Sequence, residues 1–237
     1  MGMPIWRLRD SERIITGNAA LLGRKHFLVA LTRVRNEALL LPDTLDYLAE
    51  QVDAIVAYDD ASDDATIEIL RAHPKVALIV ANQVWEQDIA ARKLAEGRHR
   101  GLLLEMAGAE LPHDWMLCFD PDERVTEDFA GFLRQLGDDP CDAVRVRLFD
   151  AYMTPDDHAP YQAGLPLLNF RKFYGPEERD ILMFWRKLPA IVFAEGDGRT
   201  PRGMTNVEIN LHCQHYGKSL SIAHWEETCD YYIQHFP

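Results

Sequence analysis

Trp115-Met116-Leu117-Cys118-Phe119-Asp120-Pro121-Asp122-Glu123 is the passage that decides the fold. An unbroken apolar run, Trp115 to Phe119, stops at acids placed around a proline. Such a run reads as a strand buried on both faces, the kind found inside a parallel sheet. Pro121 has no N–H to give a ladder, so the strand ends there. The acids therefore fall at a strand's carboxyl end, where ligands gather in open parallel sheets.

Working upstream, similar apolar runs occur at Phe27–Leu31, Ala54–Tyr58 and Val76–Val80. Between them lie segments of helical spacing. One covers about 38–50, with Leu41, Leu45 and Leu48 on a single face. A second covers 66–73, with Ser62 or Asp63 as its cap, and a longer one covers about 88–107, with Leu102, Leu103 and Met106 as its stripe. Strand and helix alternating at this interval predict a βαβ sheet with right-handed crossovers. Downstream, Thr126 is placed to cap a helix reaching about Leu136, and Val144–Phe149 is a further strand. Beyond Asp150, prolines at 155, 160, 166, 176, 189 and 201 predict loops and short strands. Ile222–Ile233 has helical spacing again. The expected organisation is one structural domain: a leader at 1–25 packed on its edge, a ligand-binding half at 26–150, and an acceptor-side half at 151–237.

Composition narrows the class. A 47% hydrophobic content with 27% charge suits a globular chain with a real core. The formal net charge of -13 argues against nucleic acid as a partner, since most of the surface repels phosphate. Cys118, Cys141, Cys213 and Cys229 form no C-x-x-C pair, so they read as reduced thiols of a cytoplasmic protein. No signal peptide and no run of roughly 20 apolar residues is present, which leaves at most peripheral membrane association.

Three acid-bearing loops follow successive strands: Asn36-Glu37, Asp59-Asp60 and Asp120-Pro121-Asp122. Any one of them reads as a turn former or helix cap; three at consecutive strand ends read as a site. The first strand–helix junction lacks the glycine-rich turn by which backbone amides hold phosphate. Acids cannot hold a diphosphate directly, so a divalent cation must stand between. Hard oxygen ligands select Mg²⁺ or Mn²⁺. A nucleoside diphosphate bound through metal is the ligand this pattern expects.

The order and spacing of Thr32-Arg33-Val34-Arg35-Asn36-Glu37, Val56 to Thr66 and Trp115 to Glu123 resemble the family 2 glycosyltransferases, most clearly over residues 27–135 and more weakly through His215-Tyr216-Gly217. The resemblance implies the GT-A fold, a Rossmann-like α/β architecture with a mostly parallel central sheet, and an irregular acceptor-side region. It implies a glycosyltransferase that uses a UDP-, GDP- or dTDP-sugar donor and a glycan or glycolipid acceptor of the cell surface. It also implies residue roles. Asp60 would bind the nucleobase with Asp59 supporting the loop, while Arg33, Asn36 and Glu37 would line base and ribose. Arg98 or Arg100 would contact the nucleotide. Asp120 would reach ribose or a metal-bound water, Asp122 would ligate the metal, and His215 would join it. Ala61 and Ala65 stand where the family often has glycine, which leaves that loop's path open.

Inverting transfer needs a base for the acceptor hydroxyl. By position the candidates are Glu195, then Asp197 and Asp180. His212, Cys213 and His215 lack the four-ligand spacing of a structural zinc site. Trp185, Trp225, Tyr231 and Tyr232 read as core aromatics before they read as sugar platforms. Two other functions fit the same residues: a catalytically silent nucleotide- or sugar-binding module, and a nucleotidyltransferase. The second expects a glycine-rich basic loop after the first strand, where this chain has Thr32 to Glu37.

Overall fold

A computed structural model describes residues 6–235, with side chains through Ile233. Residues 1–5 of the expected leader lie outside the described residues. In chain order the strands are β1 (Glu12–Thr16), β2 (His26–Val34), β3 (Ala54–Asp60), β4 (Val76–Asn82), β5 (His113–Cys118), β6 (Glu123–Val125), β7 (Ala143–Tyr152), β8 (Phe173–Arg186) and β9 (Val207–His215). The helices are α1 (Leu41–Ala49), α2 (Thr66–Ala72), α3 (Ile89–Glu110), α4 (Phe129–Leu136) and α5 (Ile222–His235).

Among the described residues, nine strands join one sheet in the order β1-β4-β3-β2-β5-β8-β7-β9-β6. Its centre, β4-β3-β2-β5, is parallel as the alternating pattern predicts. Antiparallel pairs flank it: β1 on β4 at one side, β8 on β5 at the other. The two-residue period of each central strand divides its side chains between two layers. Leu28, Ala30, Ile55, Ala57 and Leu117 point to α1, α2 and α4. Val29, Leu31, Val56, Tyr58 and Met116 point to α3, against Leu102, Leu103 and Ala107. Both sides of these strands are covered, which is why they read as continuous apolar runs.

Four expectations are corrected. The leader is more than packing, for Glu12–Thr16 adds an edge strand to the sheet. Glu12 is buried while Ile14, on the same face of the strand, is half exposed, so the expected apolar pattern was hidden by a buried charge. The segment after Asp150 holds the longest strand, β8, rather than short ones only. Pro176 is tolerated because the β7–β8 register shifts between Arg147 and Phe149, opposite which it sits. Finally, Asp128 caps α4 in place of Thr126, its carboxylate accepting the Gly131 N–H at 2.8 Å. Neither Ser62 nor Asp63 caps α2: Ala65 stands at the cap position without a side-chain bond, and Asp64 before it accepts the Thr66 N–H at 2.9 Å.

The buried acid of β1 has a defined partner. Arg98 of α3 donates from Nη1 to Glu12 Oε1 and from Nη2 to Oε2, the latter at 2.7 Å, and the Tyr58 hydroxyl donates at 2.6 Å. Arg98→Met should therefore cost about 3–5 kcal/mol by leaving Glu12 buried and unpaired. Urea unfolding would measure it. Most of the loss should return in the Glu12→Gln/Arg98→Met pair, and an Arg98→Met variant as stable as the parent would refute the account.

Candidate active site

β2, β3 and β5 end side by side. Val34 pairs with Asp59, and Leu31 with Cys118, so the three acid loops emerge together at the carboxyl ends of these central strands. The first two loops are laced together. Asn36, with a φ of 54°, accepts the Asp63 N–H on its side chain at 2.9 Å and donates its own N–H to Ser62 Oγ at 2.9 Å. The Glu37 N–H reaches Thr66 Oγ1 at 2.8 Å. Ala61 takes a φ of 58°, the left-handed conformation that glycine usually supplies. Arg35 holds it there by donating to the carbonyls of Asp60, at 2.8 Å, and of Ala61. Ala65 has a φ of -78° and needs no glycine.

Asp60 is buried between two donors. Arg33 Nη2 reaches Oδ2 at 2.5 Å and Asn82 Nδ2 reaches Oδ1 at 3.0 Å. Arg33 also donates from Nε to His99 Nδ1 at 3.2 Å. Burial first, and then the neighbouring Arg33, pushes the His99 pKa down to about 2, so the ring is neutral and able to accept. His99 stacks on Tyr58 with ring centroids 3.8 Å apart. Asp59 is fully buried and supports the loop: its Oδ2 accepts the Ser62 N–H at 3.2 Å, and burial raises its pKa. A small cleft opens beside Asp60, lined by Ser11, Asn82, Val84, Arg92 and His99. Trp85 lies next to it with the Arg35 guanidinium 3.9 Å from its ring centre.

The second half of the site is a crowd of carboxylates among cations. Arg100 Nη2 reaches Asp120 Oδ1 at 3.2 Å, and Arg199 Nη1 reaches Oδ2 at 2.8 Å. Arg199 also forks onto Glu123, with Nη2 to Oε2 at 2.8 Å, and donates to the Cys118 carbonyl at 3.0 Å. His215, at the end of β9, lies with Nε2 3.1 Å from Asp122 Oδ2 and Nδ1 2.6 Å from Asp150 Oδ1. Burial disfavours its charge, but Asp122 and Asp150 outweigh it and lift the pKa to about 11. Both ring nitrogens therefore donate. Lys218 links Asp150 to Glu177, the latter at 2.8 Å. Gly217 lies tight against the Asp122–His215 pair: a Cβ would stand 2.8 Å from Asp122 Oδ2, so a larger residue would displace that carboxylate.

These cations divide the acids into two kinds. Against the cost of burial, Arg199 and Arg100 hold Asp120 below the usual carboxylate range, and His215 does the same for Asp122. Burial raises Glu123, and burial with the nearby Asp122 and Asp120 raises Glu37 well above its ordinary value. Among the described residues, no three His, Cys, Asp or Glu side chains are grouped so as to hold a metal ion by themselves.

The expected residues thus separate. Arg33 meets Asp60, Arg100 meets Asp120, and Asp122 meets His215, while Asn36 and Glu37 form the turn beside them. Arg98 turns away to Glu12, which leaves Arg100 as the α3 arginine at the acids. The three base candidates touch none of this group in any contact described. Asp197 closes its own loop, accepting the Ala194 N–H at 2.6 Å and Arg202 Nη2 at 2.6 Å. Asp180 pairs with Arg145, whose Nη2 also reaches its carbonyl at 2.7 Å. Glu195 is exposed. Trp185 is core, whereas Tyr231 and Tyr232 are exposed. Arg199, Glu123, Asp150 and Lys218 were missed. The one available signal was an arginine directly after Gly196-Asp197-Gly198, a segment otherwise read for its acids.

The family described as glycosyl transferase family 2 matches residues 31–184. Among curated proteins no match to the chain was found. Of solved structures, HddC from Yersinia pseudotuberculosis is similar at 14% identity and a TM-score of 0.43, covering 87% of this chain and 99% of that one. A 4-diphosphocytidyl-2C-methyl-D-erythritol synthase from Anaerococcus prevotii is similar at 15% identity and a TM-score of 0.41, covering 88% and 98%. Neither likeness bears on what this chain does.

The His215 pairings give a pH dependence of definite sign. A folded pKa raised from 6.5 to about 11 adds stability that is complete below 6.5 and fades as pH rises toward 11. The gap in urea midpoint between the parent and His215→Gln should therefore narrow steadily from pH 6 to pH 10. A gap that stays constant over that range would contradict the doubly paired, charged imidazole.

Proposed function

The chain belongs to glycosyl transferase family 2, and from that membership we propose that it moves a sugar from a nucleoside-diphosphate sugar to a hydroxyl of a glycan or glycolipid, with inversion, in cell-surface polysaccharide or lipopolysaccharide assembly. The observation that carries this reading is the meeting, at the carboxyl ends of the central strands, of the Arg33–Asp60 pair with the carboxylates of Asp120 and Asp122. A cytoplasmic site of action, with at most peripheral membrane contact, fits the described helices, none of which is long and apolar enough to cross a membrane.

In this reading Asp60 accepts a ring N–H of the base, which suits uracil, thymine or guanine. Arg33 and Asn82 fix its orientation, and Asn36 with Glu37 borders the ribose. The residues present suit Mn²⁺ or Mg²⁺ as a guest shared with the donor. Magnesium in particular is usually held by one or two carboxylates together with substrate phosphates, and Asp122 with Asp120 offers that pair. His215 would stand beside them. When bound, such a cation supplies Lewis-acid stabilisation of the departing diphosphate. Arg100 adds fixed positive charge where the leaving group develops its negative charge, without reorganisation at the moment of reaction. Of the three base candidates, Asp197 and Asp180 are committed to Arg202 and Arg145. By position in the chain, Glu195 is proposed to take the acceptor proton, ahead of Asp197 and Asp180.

Turnover of UDP-, GDP- and dTDP-sugars with Mn²⁺ tests this. The parent should release one nucleoside diphosphate, and Asp122→Asn should lower the rate by about 10²–10³, the size of losing one preorganised electrostatic group, with a modest fall in melting temperature because His215 loses a charged partner. Binding without any release from the parent would favour a silent module, and full activity in Asp122→Asn would remove that residue from the chemistry.

A further inference from the structure

The acids after β5 already have an internal cation. Arg199 contacts Asp120 Oδ2 and both oxygens of Glu123, and Arg100 takes Asp120 Oδ1. These are the oxygens a divalent ion would seek, and their commitment to guanidinium groups accords with the lack of any self-sufficient metal grouping among the described residues.

Arg199 does not come from the elements that build the donor side. It comes from the acceptor-side loop between Val192 and Arg202, whose ends meet in an isolated bridge. Gly196 and Gly198 take φ values of 82° and 57°, which folds the loop back on itself. Its backbone lies against α3 at Gly97, where a Cβ would stand 2.4 Å from the Ala194 carbonyl oxygen. The same loop carries Glu195. Arg199 is therefore the tie between this loop and the acids of the donor side.

A guanidinium and a divalent cation cannot share Asp120 Oδ2 without strong repulsion in a buried site. We propose that Arg199 is a positioning residue: it serves as the counter-cation of Asp120 in the donor-free chain, yields Asp120 to the divalent ion that enters with the nucleoside diphosphate, and so couples donor loading to the position of the loop bearing Glu195. This rests on the reading of Asp120 and Asp122 as the metal–diphosphate site.

Two measurements test it. In the first, Mn²⁺ alone is titrated by electron paramagnetic resonance into the parent and into the Arg199→Met/Glu123→Gln pair, which removes the guanidinium without stranding a buried acid. The pair should bind Mn²⁺ at least about tenfold more tightly, about 1.4 kcal/mol. In the second, hydrogen exchange of residues 194–203 in the parent is followed with Mn²⁺, with each of UDP, GDP and dTDP, and with both. Exchange should rise several-fold only when metal and the fitting nucleotide are present together. If the pair does not fold, the parent's exchange decides alone. Equal Mn²⁺ affinity, or exchange unmoved while metal and nucleotide bind, overturns the role of Arg199 and leaves the donor site standing. No Mn²⁺ binding in any sample, with or without nucleotide, overturns both.

Discussion

Four carboxyl groups, those of Glu37, Asp120, Asp122 and Glu123, crowd the carboxyl ends of the central strands, and like charges so placed repel in proportion to their desolvation. The chain meets this with cations drawn from distant parts of the fold. Arg100 comes from α3, Arg199 from the loop after β8, and His215 from the end of β9. Each reaches the acids only if the helix layer, the antiparallel flank and the late strand are all in place. The site thus depends on long-range structure, although three of its four acids, Asp120, Asp122 and Glu123, lie close together in sequence.

The same constraint explains local details. Gly217 lets the chain pass Asp122, and Gly97 lets the Arg199 loop settle on α3. Ala61 holds a left-handed backbone because Arg35 grips the carbonyls on either side of the turn. Buried ion pairs of this kind contribute little net stability against an apolar alternative. Their value here is to fix orientation: Asp120 and Asp122 stay ionised while Glu37 and Glu123 are pushed toward protonation.

Legibility in the sequence followed burial. β2, β3, β4 and β5 are covered on both faces, so their apolar runs marked them plainly, and the acids at the ends of β3 and β5 marked the candidate site. β1 was obscured because its inward residue is Glu12, whose burial makes sense only beside Arg98, 86 positions away. β8 was obscured by Pro176 and by the charged run Glu177 to Asp180, which a register shift accommodates. Arg199 could not be assigned from spacing, since its partners lie 76 and 79 positions earlier. The choice between Arg98 and Arg100 likewise turns on which face of α3 meets β1, a tertiary fact.

The central claim, that these strand ends bind a nucleoside diphosphate through a divalent ion, is tested most directly by thermal shift with UDP, GDP, dTDP and CDP, each with and without Mn²⁺. At 100 times its dissociation constant a ligand adds about 2.7 kcal/mol, a clear rise in melting temperature. The account predicts that one of UDP, GDP or dTDP raises it, and only with Mn²⁺. A rise that is indifferent to metal, or no rise with any nucleotide, would contradict it.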